Sequence, residues 1–273
     1  MSSAGIKHAV LMCHAPIVIP EIAADRSNEI RNTTDAMKVV AHHLIQKSPS
    51  LIIILSPHTP RLELSFSFIS GKRVKGNFGQ FGYSEVGVDF ENDIRSIALI
   101  REEAKAHGLT IDELPQQYAD RLDHGAMVPL YFLTAEGWTG RIAVLGFPYY
   151  PSHEECRKLG NVISKAASRE RNSNWCIIAS GDMSHRITKD APAGFHPRAK
   201  EFDEFFSKAV ALGKLDEAVT PNEELRKLAA EDVVDSVEIA AAATDFEAKN
   251  CKVIQYEAPF GVGYLQAILH NND

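Results

Sequence analysis

The chain offers little sulphur chemistry: its four cysteines, Cys13, Cys156, Cys176 and Cys251, show no Cys-x-x-Cys spacing. Two of them lie in apolar runs, where free thiols behave as small hydrophobes, so reduced thiols and a cytoplasmic setting are expected. Long apolar runs are also missing. The stretch after Lys7 is broken by His14, Pro16 and Pro20 and is too short to span a bilayer, so neither a signal peptide nor a membrane helix is expected. There is no basic run and no RNA-binding motif; the formal net charge of −7 comes from scattered acids, which speaks against a nucleic-acid partner. No linker rich in proline, glycine and serine divides the 273 residues, so one domain spanning 1–273 is expected. His-Glu-x-x-His, the helical zinc motif of metallohydrolases, does not occur.

What is present is a repeated pattern in which an apolar strand runs into a histidine. Leu51-Ile-Ile-Ile-Leu55 is followed at once by Ser56-Pro57-His58. Five consecutive, mostly branched apolar residues suit a strand buried on both faces, and Pro57 cannot continue the ladder. His58 therefore falls in a loop at a strand's carboxyl end, the edge where open α/β sheets bind ligands. Lys7 to Cys13 repeats the pattern into His14-Ala-Pro16, and Trp175 to Ser180 repeats it into Gly-Asp182-Met-Ser-His185. A single loop histidine is ordinarily structural. Three on strands whose carboxyl ends align along one sheet edge, with His124 beside Asp123 as a fourth, point to a shared metal or catalytic site.

Other segments fill in an alternating order. Apolar spacing of 3.6 predicts helices within Asp25 to Gln46, over Glu91 to His107, Ser152 to Ala167, Phe202 to Leu212, and Glu223 to Ala248 with a break near Asp232. Period-two alternation predicts a strand over Leu62 to Ile69, and further strands are expected over Arg141 to Phe147 and Lys252 to Tyr256. Gly261 to Leu269 fits a strand or a helix. The glycine-rich Lys72 to Gly82 suits a mobile loop, and Pro129 suits a helix's first turn, with His124 just before that helix. The fold class expected is α/β, a single domain with a central, mainly parallel or mixed sheet flanked by helices on both faces.

Two histidines and a carboxylate on one face of a metal leave positions open for substrate and dioxygen, the arrangement of non-haem Fe(II) oxygenases. Remaining histidines can then move protons near neutral pH. Asp123 and Asp182 are candidate acceptors for orienting ring nitrogens, although surface ion pairs would account for them equally.

Taken together, His14-Ala-Pro, Val18-Ile-Pro-Glu21, Ser56-Pro-His58, Leu122-Asp-His-Gly125 through Tyr131, and Ser180-Gly-Asp-Met-Ser-His185-Arg resemble the motif series of the class III extradiol dioxygenases of the LigB type. That superfamily also contains the Memo-like proteins. The resemblance implies Fe(II) held by His14, His58 and a carboxylate early in a later helix. Ala230-Glu231-Asp232 falls at the right distance and Glu231 is assigned, with Asp232, Asp235 and Glu238 on the same stretch. It further implies that His185 is the acid–base group, that His124 hydrogen-bonds substrate or oxygen, and that a catechol-type ring is opened by O2 beside its diol. A homo-oligomer such as a dimer is expected, with a small aromatic diol and O2 as partners and no nucleic acid or membrane. Memo-like relatives tend to carry a cysteine near the third ligand, which this chain lacks. Two other readings remain: a Memo-like metal-binding protein without dioxygenase activity, and a zinc-dependent hydrolase, whose catalytic metal also takes histidine and carboxylate.

Overall fold

A computed structural model describes residues 5–170 and 174–272. In chain order the elements are β1 (His8–Met12), α1 (Pro20–Ala23), α2 (Arg31–Gln46), β2 (Leu51–Ser56), β3 (Phe66–Phe68), β4 (Arg73–Phe78), β5 (Tyr83–Glu91), α3 (Ile94–Ala106), β6 (Ile111–Glu113) and α4 (His124–Ala135). They continue with β7 (Ile142–Gly146), α5 (His153–Arg169), β8 (Trp175–Ser180), α6 (Ala199–Ala211), α7 (Leu215–Ala218), α8 (Glu223–Ala229), α9 (Val234–Ala243), β9 (Lys252–Glu257) and β10 (Tyr264–Asn271).

Eight strands form one mixed sheet in the order β6-β3-β7-β2-β8-β1-β10-β9. The central four, β7, β2, β8 and β1, are mutually parallel, while β10 runs antiparallel to β1 and β9 to β10. Successive side chains of a strand face opposite ways, and the core divides accordingly. Ile53, Leu55, Ile177 and Ala179 meet helices α3, α5, α6 and α9 on one face. Ile52, Ile54, Cys176 and Ile178 meet α2 and α4 on the other. This is the expected α/β architecture with helices on both faces. Register matters most for the site: Met12 pairs with Ser180, Leu55 with Ala179 and Ser56 with Gly146. Four strand ends therefore stop at one level, and the loops after β1, β2 and β8 start side by side.

Several expectations are corrected. The strand over Leu62 to Ile69 shortens to β3, because the chain reverses direction within it: Leu62 makes a parallel bridge just beyond β7, whereas Ser67 and Phe68 pair antiparallel with Gly146 and Leu145. Leu62 bridges Pro148, Arg61 donates to the carbonyls of Pro57 and Tyr149, and Leu64 stands 84% exposed. The glycine-rich Lys72 to Gly82 is an ordered hairpin arm. Val74 and Phe78 are buried, and the backbone of Lys75 pairs with Asp120 and Leu122. The following helix starts at Ile94, behind an Asp93 cap, because Tyr83 to Glu91 completes the hairpin. Helix α4 begins at His124, with Asp123 as its cap, so Pro129 lies inside the helix and not in its first turn. The ambiguous closing segment is β10.

Candidate metal centre

His14 follows β1 and His58 follows β2 on neighbouring loops of the carboxyl edge. Their Nε2 atoms lie 3.0 Å apart. Asp232 Oδ2 completes the triangle, 3.3 Å from His14 Nε2 and 3.2 Å from His58 Nε2. Three lone-pair atoms this close repel one another unless a proton or a cation lies among them. Adjacent ligands about 2.1 Å from one metal and at right angles to each other stand about 3 Å apart, so this donor set fits a metal bound on one face.

The carboxylate in this triangle is Asp232, which corrects the assignment of Glu231. The Glu231 side chain is 1% exposed and turned into the protein against Arg226. Its Oε2 accepts the N–H groups of Val233 and Val234 at 2.7 and 2.9 Å, capping α9. The cause is the break between helices. Ala230 takes a left-handed conformation at φ 54°, so consecutive side chains of the turn point in opposite directions: Glu231 inward, Asp232 to the sheet edge. Asp235 joins Glu231 on Arg226. Glu238 is buried between His153 and Arg157.

Asp232 is held by the loop after β8. Asp182 donates its N–H to Asp232 Oδ1 at 2.7 Å and accepts the N–H of Asp232 at its carbonyl. The two chains approach so closely here that a Cβ on Gly181 would stand 2.5 Å from Val233 Cα. The Asp182 carboxylate accepts the backbone N–H of His14 at 2.9 Å. Asp123 caps α4 through the N–H of Ala126 and accepts the hydroxyls of Ser56 and Thr59 at 2.6 and 2.7 Å. Both carboxylates thus tie loops together, and Asp182 Oδ2 also lies 3.8 Å from His14 Nε2. The group 2.9 Å from the second ring nitrogen of His14 is Ser180 Oγ, at the end of β8, to which the sequence alone assigned no role.

His124, the first residue of α4, brings a third imidazole. Its ring centroid is 4.0 Å from that of His58 and 5.6 Å from that of His14, and the three rings offer nitrogens within 4.8 Å of one another. The close packing depends on Gly125, where a Cβ would meet Ser56 Oγ at 2.4 Å. His185 sits one turn of loop beyond Asp182, within electrostatic reach of Asp182, Asp203 and Asp232. Its Nδ1 is buried without a hydrogen-bond partner.

The electrostatics separate these groups. Burial disfavours charge on His14, but the carboxylates of Asp182 and Asp232 overcome it and raise its pKa to about 9. Burial likewise opposes the charge on Asp232, and His14 and His58 more than compensate, holding it well below the usual carboxylate range. Asp182 is pushed up by burial. His124 is lowered to about 3, by burial first and then by His58 and His14, so it stays neutral.

The site opens on two sides. A cavity of about 1010 Å3 lies against His58, His124 and Met127, under Asn77 and Gln80 of the hairpin, and Phe81 stands edge-on to His124 at 5.6 Å. A second, of about 620 Å3, reaches Asp232 between Arg61, Tyr149, His153 and Lys227. No helix among the described residues is long and apolar enough to cross a membrane.

A crystal structure of an uncharacterised Escherichia coli protein, JW3007, superposes with a TM-score of 0.56 over 96% of this chain and 99% of its own, at 15% identity. That likeness is one of fold. The Clostridium acetobutylicum protein CA_C1420 is 28% identical over 260 residues, 93% of this chain and 55% of its own length; the chain thus spans about half of that relative. The family model described as the catalytic LigB subunit of aromatic ring-opening dioxygenase matches residues 8–266, and with the strand-end histidines lying inside that span, the chain belongs to the LigB family.

Proposed function

We propose that this protein is an Fe(II)-dependent extradiol dioxygenase that opens a catechol-type ring beside its hydroxyls, with His14, His58 and Asp232 as the metal ligands. The observation that carries this reading is the triangle of His14 Nε2, His58 Nε2 and Asp232 Oδ2, with sides of 3.0 to 3.3 Å, next to a cavity large enough for an aromatic ring. Two imidazoles and one carboxylate suit a ferrous ion with open positions. Iron would supply the electron transfer between diol and O2 that the side chains cannot.

The chain's own residues bind, orient and move protons. The cavity wall of His58, His124 and Met127 positions the ring, and Phe81 packs edge-on against His124. His124 is uncharged at neutral pH, so it can hydrogen-bond a hydroxyl or an oxygen without placing a competing cation beside the metal. His185 Nδ1, buried and without a partner, takes up the diol proton and returns it when the ring opens.

Anaerobic loading with Fe(II), followed by an oxygen electrode and a panel of catechols, tests the proposal. Oxygen uptake with yellow ring-opened product is expected, and its complete absence across the panel would refute it. A second reading draws on one observation: the His14, His58 and His124 cluster resembles the three-histidine set of catalytic zinc. Stoichiometric zinc in anaerobically purified protein, with hydrolysis and no oxygen-dependent activity, would establish that reading instead.

A further inference from the structure

We infer that Ser180 and Pro129 form a device that fixes the ring of His14 in the form needed to bind a metal, an inference that rests on the metal-binding reading above. Ser180 Oγ lies 2.9 Å from His14 Nδ1 and 2.6 Å from the carbonyl oxygen of Gly125. A carbonyl only accepts, so the contact with Gly125 consumes the single hydroxyl proton. The hydroxyl must then accept from His14, which places a proton on Nδ1 and turns the Nε2 lone pair towards His58 and Asp232.

Pro129 makes the carbonyl available. In a helix the carbonyl of residue 125 is the partner of the N–H of residue 129. Position 129 is proline, with no N–H to give, and it lies inside α4. The Gly125 carbonyl is therefore left to the serine of β8. The helix gives up one internal hydrogen bond, and that acceptor directs the hydroxyl away from the histidine. Ser180 and Pro129 are positioning residues, acting on the metal through His14.

The test uses zinc as a redox-inert probe, with affinity measured by chelator competition and His14 observed by NMR in protein carrying 15N-labelled histidine. In the native chain a protected His14 Nδ1–H is expected both without and with zinc. Ser180→Ala should lose that protection and bind zinc about 10–100-fold more weakly, the usual effect of removing a group that orients a ligand. Ser180→Thr, which keeps the oxygen, should restore both. Pro129→Ala, which returns a competing N–H to Gly125, should weaken zinc by a few-fold. Zinc affinity of Ser180→Ala within twofold of native, or zinc-bound His14 without a proton on Nδ1, overturns the inference and leaves the metal reading intact. A protected Nδ1–H in a native chain that binds no zinc would sink the metal reading while supporting the hydrogen-bond relay.

Discussion

Glu231 and Asp232 are neighbours in sequence with opposite jobs, and exchanging each for alanine should tell them apart by metal binding. In Glu231→Ala, α9 loses the acceptor of two terminal N–H groups, at 2.7 and 2.9 Å, worth about 1 kcal/mol by analogy with an N-cap. Arg226 loses one of two partners but keeps Asp235 at 2.6 Å. Breaking a buried pair outright costs about 3–5 kcal/mol, so with one partner remaining about 2 kcal/mol is reasonable. The sum, about 3 kcal/mol, corresponds to a fall in Tm of roughly 6–12 °C for a chain of this size. Metal affinity should change by less than about threefold, because no Glu231 atom faces the imidazoles. In Asp232→Ala the metal loses a direct donor, and affinity should fall by more than the roughly 100-fold that an indirect orienting group can cost. Its metal-free Tm should fall as well, because Asp232 pairs with buried His14 and accepts the Asp182 N–H, so metal affinity is the quantity that tells the two variants apart. Differential scanning calorimetry of the metal-free variants and chelator competition with Fe(II) under argon measure both quantities. Loss of metal binding in Glu231→Ala with retention in Asp232→Ala would refute the reasoning.

Protons give further tests. Since His14 is raised from 6.5 to about 9, the metal-free chain carries its proton at neutral pH. Metal must displace that proton, so affinity should rise about tenfold per pH unit, or 1.4 kcal/mol, up to about pH 9 and then flatten. Calorimetric titration in buffers of different ionisation enthalpy should show about one proton released at pH 7.5 from this group; no release would argue against the His14 assignment. Asp203 is raised from 3.8 to about 6 by burial, so its contribution to stability is complete below about pH 4 and lost as pH rises through 6. The unfolding free energy at pH 4 minus that at pH 7.5, from urea titrations, should be lower by about 2 kcal/mol in Asp203→Asn than in the native chain. Gly125→Ala should destabilise by about 1–3 kcal/mol despite the better helix former, because its Cβ would meet Ser56 Oγ at 2.4 Å and Asp123 Oδ1 at 2.9 Å; thermal unfolding that matches or exceeds the native Tm would count against that close approach.

The frame of the site was legible because it follows from two local signals. Apolar runs of strand length ended at His14, His58 and just before Asp182, and parallel strands stop at a common edge; observed register places Met12, Ser56 and Ser180 at one level. The third carboxylate was not legible. Helical periodicity assumes a regular screw, and the chain breaks that screw at Ala230, whose left-handed backbone has no glycine or asparagine to announce it. Glu231 and Asp232 are then distinguished only by tertiary contacts, with Arg226 on one side and the imidazoles on the other. The hairpin over Arg73–Glu91 was hidden for a similar reason. Its glycines read as flexibility, yet Gly76 and Gly87 sit where backbone and Met127 pack too closely for a side chain. Ser180 could have been suspected from Gly125 and Pro129, because a proline four residues after a helical carbonyl frees an acceptor, although which hydroxyl takes it depends on strand β8.

The roles of the imidazoles follow from how unequally the carboxylates are shared. Asp182 and Asp232 both lie by His14, and its pKa is lifted to about 9, while His124, one ring further out, is lowered to about 3 by burial and by the two imidazoles in front of it. Groups within one cluster whose environments drive their titration apart acquire different functions. His14 occupies the position where positive charge is stabilised, by a proton in the metal-free chain and by a cation when one binds. His124 occupies the position where charge is rejected, and a neutral ring there can face an uncharged or anionic oxygen without repelling the metal. His124→Lys would place a cation at that position. It should therefore weaken metal binding as well as any activity, whereas His124→Gln should spare metal binding and reduce activity alone. Equal metal affinities for the two variants would show that the charge at this position does not reach the centre.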